Sequence, residues 1–91
     1  MSKEIKSYGV EEHVLFDGRL SATDLRVFII TNLEVLAHDK VGKLFCPENI
    51  SYATRIGIHP RRLQKSFEKL EKAGYLIREM RSGKRYIYIS A

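Results

Sequence analysis

The sequence predicts an α+β fold, with three helices, a small antiparallel β-sheet and a C-terminal hairpin. Three observations carry this expectation. Apolar residues recur at helical spacing from Leu25 onward. Two further helical stretches are separated only by Gly57-Ile58-His59. Two strand-like segments, Leu76–Arg81 and Arg85–Ser90, flank the turn-forming Ser82-Gly83-Lys84. The 91 residues suit one domain with one core, and we divide them into an irregular or extended arm over 1–19 and a folded domain over 20–91.

The first helix is expected from about Ala22 to His38. Ser21 is a good N-cap and Asp24 lies three residues on, a capping box with Asp in place of Glu. Leu20 and Leu25 occupy the two positions of a hydrophobic staple. Leu25, Phe28, Ile29, Leu33 and Leu36 then form the main apolar stripe, with Val27 and Ile30 roughly opposite. That second apolar side needs cover, either from the arm around Val14-Leu15-Phe16 or from a second copy of the chain.

Leu44-Phe45-Cys46 reads as a short strand ended by Pro47, with Cys46 as a small buried hydrophobe. The second helix, Glu48–Ile56, has Ile50, Ala53 and Ile56 as core positions and three N-cap candidates in Cys46, Glu48 and Asn49. Gly57 stops it. His59-Pro60 opens the third helix, since proline is favoured at the first helical position. Leu63, Phe67 and Leu70 line its inner face, and Gly74 is a natural C′ residue. In the second strand Ile87 and Ile89 share one face and Tyr86 and Tyr88 the other. The first strand alternates too weakly to assign its inward residues.

Charge gives the first indication of a partner. The net charge is +5, but residues 1–54 carry six Lys/Arg against eight Asp/Glu, and residues 55–91 carry ten against three. A basic half beside a mildly acidic one points to a polyanion, nucleic acid or an anionic membrane surface. No apolar run approaches the roughly 20 residues of a membrane span, and the N-terminus lacks the pattern of a secretory signal. A lone cysteine forms no internal disulfide. We therefore expect a cytoplasmic protein.

The second and third helices, joined by three residues, have helix-turn-helix spacing. Together with LSATDLRVFIITNL and ENISYATRIGIHPRRLQKSFEKLEKAGYLIRE, this stretch resembles the winged helix-turn-helix modules of bacterial regulators and of plasmid and phage replication initiators. The resemblance runs from Leu20 to Ile89. It rests on an alanine in the second helix, Gly-Ile before the turn, and the exit Leu-Glu-x-Ala-Gly-Tyr-Leu. Two positions depart from the family pattern. His59-Pro60 stands where relatives often carry serine and a basic residue, and Arg62 stands where they often place threonine.

The resemblance implies a winged helix-turn-helix fold and binding of double-stranded DNA. The third helix would enter the major groove, with Arg61 and Lys65, then Gln64, reading bases. Arg55, His59, Arg62 and Lys69 would meet phosphates. Arg81, Lys84 and Arg85 would form the tip of the wing. A homodimer on repeated half-sites is expected, serving transcriptional regulation or DNA replication and plasmid maintenance. An alternative is a winged-helix module for protein interaction or assembly, without specific DNA readout.

Other readings have less support. His13, His38 and His59 with one cysteine show no metal-ligand spacing. No phosphate loop and no nucleophile with an evident base are present, so we expect neither an enzyme nor a cofactor, nor a small-molecule substrate. Glu68 and Glu71 could instead make the third helix a solvated face of intrahelical pairs with Lys65, Lys69 and Lys72. Tyr86 and Tyr88 are expected to cover the sheet rather than stack on bases.

Overall fold

Three helices precede a two-stranded antiparallel sheet, the topology of a winged helix-turn-helix domain. The computed structural model describes residues 12–90. Its helices are α1 (Ala22–Lys40), α2 (Asn49–Ile56) and α3 (Pro60–Lys72), and its strands are β1 (Leu76–Arg81) and β2 (Lys84–Ile89). Residues 1–11 of the expected arm, and Ala91, lie outside the described residues. The remainder of the arm is not simply irregular, because Glu12–Leu15 forms one helical turn. That turn sends Val14 into the core and leaves Leu15 and Phe16 exposed.

The N-terminus of α1 follows its sequence. Ser21 Oγ accepts from the Asp24 amide at 3.1 Å, and Asp24 Oδ2 accepts from the Ser21 amide at 2.9 Å, so both halves of the capping box form. The face that α1 buries differs from the expected stripe. It consists of Asp24, Val27, Phe28, Thr31 and Asn32. Val27 is wholly buried and Ile30 packs against the core, whereas Leu33 is 56% exposed. The physical reason is that three of the inward residues are polar. Asp24 is hydrogen-bonded inside, and Thr31 Oγ1 shares a 2.9 Å hydrogen bond with the Tyr52 hydroxyl. Apolar periodicity counts none of these, so it set the helix in the wrong rotation.

In α2, Tyr52, Ala53 and Ile56 point inward. Ile50 is exposed, contrary to its expected core position, and Tyr52 takes the interior place. A tyrosine is buried here without penalty because Thr31 satisfies its hydroxyl, and burial pushes its pKa up to about 12. Glu48 is the N-cap residue, but its side chain makes no cap hydrogen bond to the helix. At the other end Gly57 adopts φ 88°, the left-handed conformation that turns the chain toward α3. Arg26 of α1 donates from Nη2 to the Ile56 carbonyl at 2.6 Å, satisfying a helix-end acceptor.

Leu63, Phe67 and Leu70 of α3 are fully buried, as expected. Burial of each is worth about 1.5–3 kcal/mol. β1 and β2 pair in register from Leu76 opposite Ile89 to Arg81 opposite Lys84. Ser82 and Gly83 both take positive φ (49° and 77°), which a two-residue hairpin turn with the right twist requires. Ile87 lies in the core and Ile89 against it. The expected strand at Leu44–Cys46 reduces to a single bridge, in which the Ile87 amide donates to the Phe45 carbonyl at 3.0 Å. Cys46 is exposed rather than buried, because Phe45 alone turns inward before Pro47.

Candidate nucleic-acid interface

His59 caps α3 with its ring: Nδ1 accepts from the Arg61 amide at 3.1 Å, and Pro60 follows at the first helical position. The helix that starts there has four distinct sides. Leu63, Phe67 and Leu70 face the core. Arg62, Ser66 and Lys69 face α1, Gln64 and Glu71 face β1, and Arg61, Lys65, Glu68 and Lys72 face outward and are exposed.

The side toward α1 is built around Asp24, whose side chain is completely buried. Ser66 Oγ donates to Oδ1 at 2.6 Å, Lys69 Nζ lies 2.9 Å from Oδ2, and Arg62 Nη2 lies 3.4 Å from Oδ1. Arg62 Nη2 also donates to Ser21 Oγ at 2.6 Å. Burial by itself raises a carboxyl pKa. Here the hydrogen bonds from Ser66, the Ser21 amide and Lys69 outweigh it and hold Asp24 well below the usual carboxylate range. Arg62 and Lys69, both assigned to phosphates, therefore already share an internal carboxylate.

The side toward β1 is built around Arg78, whose side chain is only 10% exposed. Its Nε and Nη2 donate to Glu71 Oε1 at 3.1 and 2.8 Å, and its Nη1 donates to Gln64 Oε1 at 3.1 Å. The guanidinium lies over the Phe67 ring, 5.5 Å from its centroid. Asn49 of α2 also donates to Gln64 Oε1, at 3.3 Å. Gln64, assigned to base reading, is thus engaged by both α2 and β1. Arg78 locks the first strand of the hairpin against α3.

The remaining assigned cations divide in two. Arg55 pairs with Glu34 at 2.5 Å and lies over the Tyr52 ring, and Arg81 pairs with Glu79 at 3.1 Å. Arg61 and Lys65 on α3, and Lys84 and Arg85 at the wing, are exposed and have no side-chain partner among the described residues. Lys72, on the same outward face as Arg61, is equally free. No Lys–Glu pair forms within α3 among the described residues. Lys69 turns to Asp24 and Glu71 to Arg78, while Glu68 accepts instead from Gln64 Nε2 at 3.1 Å. Lys84, Arg85 and Tyr86 border an open groove against Cys46 and Glu48.

Two organising residues, Asp24 as a tether and Arg78 as a clamp, escape a reading of the sequence. Asp24 is visible there only as a cap partner. Arg78 carries the signal of a cation at an inward strand position, opposite Ile87, but only the pairing register reveals it. Among the described residues no helix is long and apolar enough to cross a membrane, and no group of three His, Cys, Asp or Glu is placed to hold a metal.

The fold and this surface define a small winged helix-turn-helix domain in which α3 is held from two sides and presents Arg61, Lys65 and Lys72 outward. No known family, curated protein or solved structure matches the chain.

Proposed function

We propose that the domain binds double-stranded DNA with sequence selectivity, as a small transcriptional regulator or as the origin-binding part of a replication or plasmid-maintenance protein. It acts by binding, not catalysis. The observation that carries this reading is the outward face of α3. Arg61, Lys65 and Lys72 stand there exposed and unpaired among the described residues, while the other basic side chains of the helix are taken up internally. Unpaired cations on one rigid helix create a potential that a major groove, wide enough for an α-helix, can satisfy.

Arg61 and Lys65 lie in the N-terminal half of α3, where base contacts concentrate. Gln64, also expected to read bases, has its carboxamide engaged by Arg78, Asn49 and Glu68, so it positions its neighbours rather than reading a base itself. His59, at the positive end of α3, approaches a phosphate, as do Arg55, Arg62 and Lys69 at the rim. Lys84 and Arg85, with Arg81 behind them, carry the wing along the backbone. Two copies on successive half-sites complete the complex.

Titration of a fluorescent duplex across salt concentrations tests the reading. With about five phosphates neutralised per subunit, log K falls against log[salt] with a slope near −4.5. A slope near zero, or tight binding only to an acidic protein, would transfer the domain to the interaction-module class.

A further inference from the structure

Glu68 stands where a cation would strengthen attraction to a polyanion. It is exposed on the outward face of α3, between Lys65 and Lys72. A carboxylate there opposes approach to phosphate, so affinity supplies no reason for it. The common structural use of such a glutamate is a helix-surface ion pair with a lysine three or four residues away. Neither Lys65 nor Lys72 pairs with it. Its Oε2 instead accepts from Gln64 Nε2 at 3.1 Å, and Gln64 Oε1 in turn accepts from Arg78 of β1 at 3.1 Å and Asn49 of α2 at 3.3 Å. A run of hydrogen bonds from the wing strand and from α2 therefore fixes the carboxylate on the outward face. Its second oxygen is left without a partner among the described residues.

We infer that Glu68 is a specificity-determining residue that accepts a hydrogen bond from the exocyclic amino group of a cytosine in the major groove. This rests on the DNA reading of α3. Cytosine is the base whose own major-groove edge is only an amino donor, flanked in the pair by guanine O6 on one side, whereas the adenine amino lies between N7 and thymine O4. Guanine presents O6 and N7, thymine presents O4, and adenine sets N7 next to its amino group. A fixed carboxylate is repelled by each of those acceptors, so Glu68 discriminates by rejection as much as by attraction. Lys65 lies one turn earlier on the same face, within reach of the acceptor edge of a guanine in the same or the adjacent pair. The arrangement costs affinity and gains selectivity.

Selection of bound sequences from random duplex DNA, using the full chain and its Glu68→Ala variant, tests the inference. The wild-type motif contains a position restricted to cytosine. In Glu68→Ala the preference at that position falls roughly tenfold, the other positions keep theirs, and affinity for unrelated duplex rises. Glu68→Gln, which brings an amide to the same place, admits adenine there. An unchanged motif in Glu68→Ala overturns the role of Glu68 and leaves the DNA reading intact. No enrichment by the wild-type chain overturns both.

Discussion

The hydroxyl of Ser66 donates to the carboxylate of Asp24 at 2.6 Å, with both side chains fully buried, and this contact fixes α3 to the start of α1. The same carboxylate closes the capping box of α1 and meets Lys69 and Arg62. Removing it leaves Ser66 unsatisfied and two cations without their partner. Asp24→Ala should therefore cost about 3 kcal/mol of folding stability, measured by urea unfolding at neutral pH. Ser66→Ala should cost less, about 1 kcal/mol.

The acid limb of stability follows from the same residue. Asp24 is held below its ordinary pKa of 3.8 in the folded state. A depressed carboxylate contributes stability that is present above the unfolded value and is lost as pH falls through 3.8 toward the folded value. Asp17 adds to the same window: the Arg19 guanidinium at 2.6 Å lowers it, and the Tyr75 hydroxyl donates to it at 2.7 Å. Unfolding midpoints should begin to fall at about pH 4 and keep falling below it, with a shallower fall in Asp24→Asn. Equal slopes in the two proteins would assign the acid limb to other groups.

Arg78 should act on DNA binding without touching DNA. Its fork joins Glu71 and Gln64 while its plane covers Phe67. Lysine keeps the charge but cannot reproduce that geometry. We expect Arg78→Lys to lose about 1.5–3 kcal/mol of stability. It should also bind duplex DNA about tenfold more weakly than wild type, a loss of about 1.4 kcal/mol. Amide exchange should report faster opening of β1 while α1 stays protected.

Free and committed cations should differ in salt dependence. Lys84 and Arg85 have no side-chain partner among the described residues, so alanine at either position should reduce the magnitude of the salt slope by about 0.9. Lys69 already shares Asp24, so Lys69→Ala should change the slope less and lower the unfolding midpoint instead.

The order of elements, the helix-turn-helix spacing and the hairpin were legible in the sequence, because Ser21, Gly57, Pro60 and Ser82-Gly83 mark boundaries through local backbone chemistry. The apolar part of the inner face of α3, Leu63, Phe67 and Leu70, was legible, whereas the buried Ser66 was not, because its partner Asp24 lies on another helix. The rotation of α1 was not legible, since Asp24, Thr31 and Asn32 face inward, and Asp24 and Thr31 depend on partners far along the chain. Exchange of Ile50 for Tyr52 in the core has the same origin, a hydroxyl satisfied from another helix. At the candidate site the basic residues were evident. Their division into free and committed groups was not, because it depends on which carboxylate the fold brings near each one.

The central claim is that Arg61 and Lys65 meet DNA directly. Binding of the double variant Arg61→Ala/Lys65→Ala to a duplex selected by the wild-type chain, with unfolding followed in parallel, tests it most directly. The account predicts an unchanged unfolding midpoint, since both side chains are exposed and unpaired among the described residues, and affinity reduced roughly a hundredfold. A well-folded double variant that binds the duplex as tightly as wild type would contradict it.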